Sequence, residues 1–403
     1  MPRPINDLAD AFDFTDPETV ERLYEVYAAM RSRSGAVFSP RLGGHWAITR
    51  YEDIVEVCKE PVTFSTAHGA TLPAIGNVVP AVPLESDPPE HTRYRRFLGP
   101  RFRKVAIDLM EPAIRRIVRG SLDKIRRTGE CDLVPALCDQ VPVIVIADLL
   151  GLPEEDWDTF RMWTANLQRS AYVGDTESNA RAAKAIGGYL AEAIEDRRGG
   201  TDDGGVLYHL ANGVIEGEPI PPERALGMAL LVLQAGHETT AHAAASMLYY
   251  LADKPELRDR LRGNSQLIAR FVTESLRYEA PVTGMARTAT CPAHVGGNDI
   301  AEGDKLLLLF TSANHDDRVY SDPETFELER SERSHLAFGY GAHRCLGEQL
   351  AILELNVIVD QVLRELPDFA LKPGTVLTHT PWTARGPVSV PIVFTPTVQE
   401  VSV

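Results

Sequence analysis

His335-Leu336-Ala337-Phe338-Gly339-Tyr340-Gly341-Ala342-His343-Arg344-Cys345-Leu346-Gly347 is the stretch on which the reading of this chain turns. Glycines flanking a cysteine let the backbone wind tightly and approach a flat ligand closely. A helical pattern begins just after the cysteine, with Leu346, Leu350, Leu353 and Val357 on one face. The sulfur therefore lies near a helix N-terminus, where the positive end of the dipole favours thiolate. A thiolate with backbone N–H groups aimed at it suits an axial iron ligand, because hydrogen bonds to sulfur set its electron donation. The competing reading is a glycine-rich loop around a buried cysteine that behaves as a small hydrophobe. With Cys345 the chain has five cysteines, an odd and sparse set without a CxxC pair, so Cys58, Cys131, Cys138 and Cys291 read as inert buried residues, neither a zinc site nor a disulfide set.

Upstream, residues 222–252 carry the longest helical pattern. At its middle stands Ala235-Gly236-His237-Glu238-Thr239-Thr240. A glycine and two β-branched residues weaken a helix interior, and a threonine hydroxyl can bond back to a carbonyl, so a local distortion is expected there. A buried Glu238 beside Thr239 is the equipment oxygen chemistry uses: the hydroxyl holds a water or an oxygen species, and the carboxylate passes protons inward. A zinc reading of His237 to His242 fails on spacing. The two histidines are five positions apart, about 140° around a helix, where chelation needs four. The plain alternative is a buried helix with a satisfied polar patch.

Composition bounds the rest. The chain has 403 residues, 44% hydrophobic and 24% charged, with a net charge of −16, ordinary for a globular protein and too apolar for disorder. That acidity argues against general nucleic-acid binding, which needs a surplus of Lys and Arg. The N-terminus carries acids and no apolar run, so neither a signal peptide nor a membrane anchor is expected, and a cytoplasmic location is the simplest reading. Length alone suggests two or three domains. With no linker, repeat or low-complexity tract, one large, mainly α-helical unit with a minor β region (α+β) is favoured. Helices are expected at about 17–31, 89–98, 107–127, 136–150, 154–172, 177–197, 266–279 and 346–366. Short strands are expected at 36–38, 45–49 and within 285–310.

The run Phe338-Gly339-x-Gly341-x-His343-x-Cys345-x-Gly347 resembles, position for position, the haem-binding loop of the cytochrome P450 superfamily, in its soluble bacterial form. Ala235-Gly236-x-Glu238-Thr239-Thr240 is similar to that family's distal oxygen-activation motif. Glu274-x-x-Arg277 matches its buried structural pair, for which Arg330 is the candidate third member. The resemblance spans essentially the whole chain. It implies a single domain over residues 1–403, a triangular helical prism around buried haem b (iron protoporphyrin IX), with small sheets. It further implies Cys345 as the proximal, metal-ligating residue, with Phe338, Gly339 and Gly347 around it. His91, Arg95, Arg287 and His335 would be donors to the haem propionates, an assignment that suits guanidinium forks.

The implied activity is insertion of one atom of O2 into a neutral hydrophobic small molecule, such as a terpenoid, an aromatic compound or a secondary metabolite. Electrons would come from NAD(P)H through a ferredoxin reductase and a ferredoxin. Residues 65–84 contain no Asp, Glu, Lys or Arg, and supply Leu72, Ile75, Val78 and Val79 to the expected substrate pocket. Leu231, Gln234, Ala235, Val282, Thr283, Met285 and Trp382 complete it. From Arg93 to Lys104 there are six bases and no acid. This island makes Arg93, Arg96, Arg101 and Arg344 the expected ferredoxin-docking surface. A peroxide-driven peroxygenase and a non-catalytic haem carrier remain as alternatives; the second has no use for Glu238 and Thr239.

Overall fold

A computed structural model describes residues 2–72, 79–332, 334–381 and 383–396, the side chains of 168 and 171–173 excepted. The fold is helical with a minor sheet component. Its principal helices are α1 (Glu90–Leu98), α2 (Glu111–Ile125), α3 (Gln140–Leu150), α4 (Trp157–Val173), α5 (Thr176–Asp196), α6 (Pro222–Asp253), α7 (Ile268–Tyr278) and α8 (Glu348–Glu365). Helix α6, about 48 Å long at its 32 residues, forms the spine. It packs against α3, α5 and α8, and α2 closes on α3 and α8. Ala241, Ala243, Ala244 and Ala245 are all buried, and their short side chains allow α6 this many close neighbours.

Five strands lie to one side: β1 (Ala36–Ser39), β2 (His45–Ile48), β3 (Phe64–Ser65), β4 (Met285–Ala289) and β5 (Lys305–Leu308), in the order β1-β2-β5-β4-β3. β1 and β2 pair antiparallel across the turn at Arg41–Gly44, and β5 runs parallel to β2. Leu306, Leu307 and Leu308 are buried on both faces of the sheet, so this strand reads as a continuous apolar run.

Several expected helices are subdivided, for identifiable reasons. The one expected at 17–31 starts at Pro17, where the Asp16 carboxylate accepts from the N–H groups of Glu18 and Thr19. It breaks at Arg22, which leaves helical geometry while its guanidinium donates to the carbonyl of Arg3. The helix expected at 107–127 divides before α2, where Pro112 occupies a first-turn position that requires no N–H. A π turn at Val134–Cys138 precedes α3. Helices at Val206–Asn212 and Pro255–Gly263 have no counterpart among the expectations. Among the described residues no helix is long and apolar enough to cross a membrane.

Irregular backbone between β5 and α8 is anchored by a buried ionic centre. Arg277 grips Glu274 with two hydrogen bonds, 2.9 Å from Nε and 2.7 Å from Nη2. Nε of Arg330 reaches the same carboxylate at 3.2 Å. The guanidiniums' other donors go to the carbonyls of Asn314, Ser321, Asp322, Pro323 and Thr325, and the N–H of Glu327 donates to Glu274 at 2.9 Å. Replacing Glu274 by Ala takes from buried Arg277 the carboxylate it grips and leaves Arg330 with the more distant Glu327 at 3.8 Å. The expected cost is about 3–5 kcal/mol of unfolding free energy, measurable by denaturant unfolding; a loss under about 1 kcal/mol would contradict this account.

Candidate active site

The cysteine loop is a closed turn. The N–H of Cys345 donates to the carbonyl of Phe338 at 2.8 Å, and that of Gly339 to Leu336, also at 2.8 Å. Gly341 sits at φ 70°, and a Cβ there would come within 2.4 Å of the carbonyl oxygen of Cys58, so this position accepts only glycine. Gly347 caps α8, and its N–H is directed at the sulfur of Cys345. Burial pushes the Cys345 thiol up, and that N–H opposes the shift. Protein surrounds the side chain, yet it retains accessible surface, so the sulfur faces an interior space.

Helix α6 carries the second expected group. Gln234 and Ala235 are exposed, although Val232, Leu233 and His237 on either side of them are buried. A Cβ on Gly236 would meet Cδ1 of Ile146 of α3 at 2.4 Å, so a larger residue here would require the Ile146 side chain to shift. The helix runs unbroken through this point, contrary to the expected distortion. The sequence effect is confined to the Thr239 hydroxyl, which donates to the carbonyl of Ala235 at 2.9 Å. Glu238 and Thr239 are both half-buried.

A third group lies along one edge. The rings of His91 and His343 are 4.1 Å apart, and Nε2 of His343 is 3.4 Å from Oγ1 of Thr66. Burial lowers His91 to about 4, with Arg95 acting in the same direction. His343 is lowered further by burial, then by Arg287, His91 and Arg95. Arg287 is 4% exposed; its recorded hydrogen bond runs from Nη1 to the carbonyl of Ala286 at 2.7 Å. Neither Arg287 nor Arg95 has an ion pair among the described residues, and Nδ1 of His91 is buried without a partner. Two guanidiniums and two imidazoles gathered inside a protein call for anionic ligands. A porphyrin with two carboxylate arms and an iron seeking a thiolate fits these residues.

His335 does not join this group. Its Nδ1 accepts the N–H of Ala337, its ring is 5.9 Å from that of Phe338, and the charges acting on it are Glu348, Arg344, Arg277 and Glu274. The structure puts His343 where the sequence reading put His335. The signal was within the quoted loop, since His343 is one of its repeated positions.

Other expected contacts divide. Leu72 packs with Phe12, Tyr27 and Leu307 in the core between the N-terminal helices and the sheet. Thr283 is buried, with its N–H and hydroxyl both on the carbonyl of Thr383. Val282 bridges to Ala384, and Met285 opens β4 with partial exposure. Leu231 is partly exposed one turn before Ala235, and Val79 approaches Gly227 of α6. Ile75, Val78 and Trp382 lie outside the described residues. Of the other cysteines, Cys58 and Cys138 are buried as expected, but Cys131 is half-buried and Cys291 exposed; none is in a disulfide.

The expected docking surface is partly neutralised by acids from elsewhere in the chain. Arg93 pairs with Glu216 at 3.0 Å, Arg101 with Asp202 at 3.8 Å, and Arg344 with Glu348 through two 2.7 Å contacts. Arg96 is exposed, with no ion pair recorded among the described residues.

Comparison with known proteins identifies the class of this site. Residues 173–376 match the family model for cytochrome P450. The chain is 31% identical over 385 residues to the linalool 8-monooxygenase of Pseudomonas putida, covering 89% of this chain and 93% of that one. It is 33% identical to the steroid C26-monooxygenase of Mycobacterium tuberculosis H37Rv, covering 98% of each. Among solved structures, cytochrome P450 CYP109Q5 from Chondromyces apiculatus superposes with a TM-score of 0.87 at 27% identity, over 96% of this chain and 99% of that one. The chain belongs to the cytochrome P450 family. It is a haem-dependent monooxygenase of small-molecule substrates.

A variant tests the charge argument. Arg287→Met removes a buried cation of similar volume. The apoprotein should gain about 1–2 kcal/mol of stability while the holoprotein loses haem more readily. Denaturant unfolding of the apo form and haem transfer to a scavenger protein measure the two effects; slower haem loss in the variant would refute the assignment.

Proposed function

We propose that Cys345 would ligate the haem iron, that Glu238 and Thr239 handle protons, and that His91, Arg95, Arg287 and His343 would hold the propionates. What supports this reading is a cysteine sulfur that accepts the Gly347 N–H, a buried Arg287 with no ion pair among the described residues, and a half-buried Glu238–Thr239 pair on α6. The bound haem supplies the redox chemistry, in which two electrons and two protons reduce one oxygen atom of O2 to water while the other enters the substrate.

The chain's own residues then have distinct tasks. The N–H of Gly347 stabilises negative charge on the sulfur and so tempers its electron donation. With its proton engaged by the Ala235 carbonyl, the Thr239 hydroxyl offers lone pairs to the interior and acts as a hydrogen-bond acceptor. Glu238, half-buried beside it, exchanges protons with the interior. Leu231, Ala235, Val282 and Met285 present apolar surface and exclude water, which suits a neutral hydrophobic substrate of the terpenoid, aromatic or secondary-metabolite kind. One domain spans the chain, since residues from His91 to Cys345 serve one cofactor, and the protein works in the cytoplasm. A ferredoxin, reduced by its NAD(P)H-dependent reductase, supplies electrons at the surface bearing Arg96.

The central test is Cys345→Ala. The wild-type reduced protein with carbon monoxide should show the absorption band that gave the family its name, and the variant should lose it while keeping its helical circular dichroism. Survival of the band would remove Cys345 from the iron. Docking is tested by Arg96→Glu, which should slow reduction by ferredoxin about tenfold at low salt and less at high salt. Arg93→Glu and Arg101→Glu should have smaller effects, because Glu216 and Asp202 already offset those charges. Equal reduction rates for Arg96→Glu and wild type would place the docking surface elsewhere.

A further inference from the structure

We propose that Asp139 is a second proton-carrying carboxyl, which reloads Glu238 from the solvent side of the molecule. The proposal rests on the reading of Glu238 as a proton carrier. Asp139 stands between the π turn at Val134–Cys138 and α3, and its N–H closes that turn on the carbonyl of Val134 at 2.9 Å. Its own carbonyl is 3.1 Å from Nε2 of His237, the residue preceding Glu238 on α6. Burial lowers His237 to about 4, so at neutral pH the ring is uncharged and donates through Nε2–H. This one bond pins the glutamate's turn of α6 to the backbone of Asp139. Single π turns of this kind recur at functional sites.

The surroundings of the Asp139 side chain suit a proton store. The residue is half-buried, and burial is the largest influence on its carboxyl. The charged groups that act on it are Asp132 and Glu238; among the described residues no Lys or Arg pairs with it. Asp132 is engaged elsewhere, accepting from the N–H groups of Val134 and Val390 and from the hydroxyl of Ser389. The adjacent Cys138 thiol is pushed up by burial, then by Asp139, Asp132 and Cys131, so it stays protonated and does not compete. Burial first, then the two acids, raise Asp139 to about 7, where a carboxyl both takes and gives a proton at neutral pH. No group of His, Cys, Asp and Glu among the described residues has the arrangement of a metal site, so these acids are not cation ligands.

The step balances without electrons. The Asp139 carboxylic acid passes its proton through water to the Glu238 carboxylate, and the resulting Asp139 carboxylate is reprotonated from bulk solvent. One proton moves inward per cycle, and the charge on the pair is restored.

The test compares Asp139→Asn, which keeps shape and hydrogen-bonding capacity, with Glu238→Gln in the holoenzyme. Asp139→Asn should lower turnover about tenfold at pH 7, raise the solvent deuterium isotope effect, and flatten the pH profile near 7. A readout independent of turnover is infrared titration: wild type should show a carboxylic-acid carbonyl band that disappears as pH rises through about 7, and Asp139→Asn should lack it. Wild-type turnover and isotope effect in Asp139→Asn, with Glu238→Gln impaired, would overturn the proposal and leave the reading of Glu238 intact. Wild-type behaviour in both variants would overturn the reading of Glu238 itself. Reduced turnover with an unchanged isotope effect and an unchanged infrared band would make Asp139 a structural residue and also overturn the proposal.

Discussion

The Glu274 carboxylate, held between Arg277 and Arg330, is the interaction on which the rest of the structure depends. Among the described residues from Asn314 to Leu336 the backbone has neither helix nor strand, so no ladder satisfies these carbonyls. The two guanidiniums supply donors in fixed, planar forks and collect those carbonyls around one buried anion. Asn314 carries the constraint onward. Its carbonyl accepts from Arg277, and its side-chain oxygen accepts the N–H of Leu336 at 2.7 Å. Leu336 in turn accepts the N–H of Gly339, and Phe338 that of Cys345. An unbroken series of hydrogen bonds thus runs from the ionic centre to the residue bearing the sulfur.

The opposite wall is positioned by shape. Gly236 of α6 packs on the Ile146 side chain of α3, which would have to shift for any larger residue. The same contact brings His237 to the carbonyl of Asp139. Close packing therefore fixes the turn that carries Glu238 and Thr239, just as polar bonding fixes the cysteine loop. A polar anchor suits an irregular segment, which has unsatisfied backbone groups to offer. A steric anchor suits a helix, whose backbone groups are already paired.

Features encoded locally were legible in the sequence. The cysteine loop, the glutamate–threonine pair and the Glu274–Arg277 spacing each lie within a short run, and the short strands around Arg41–Gly44 follow from turn chemistry. Features depending on distant segments were not. His343 was quoted as part of the loop, but its place in this cluster became visible only when β4 brought Arg287, and α1 brought His91, to its side. The basic island looked like an open docking surface because Glu216 and Asp202, which offset Arg93 and Arg101, come from more than a hundred residues downstream. Leu72 read as pocket lining on account of its uncharged surroundings, yet the N-terminal helices and the sheet enclose it. Charge patterning along a sequence shows which groups exist; pairing in three dimensions decides which remain available.

That distinction also explains how charge is distributed around the cofactor site. Most charged groups near it are offset by a partner, as Arg344 is by Glu348 and Glu274 is by two arginines. Arg287 and Arg95 at one edge have no ion pair among the described residues, and the charges acting on Asp139 behind α6 are both acidic. Leaving a charge uncompensated inside a protein costs stability, and such groups concentrate where a ligand or a proton is to be received. At the cationic edge the missing counter-charge matches carboxylate arms fixed on a cofactor, which calls for permanent cations, and guanidinium never deprotonates. Behind α6 the missing charge is a proton that must come and go, which calls for a group titrating near neutrality. The same unfavourable burial thus serves retention on one side of the molecule and exchange on the other, according to whether the buried group can release its proton.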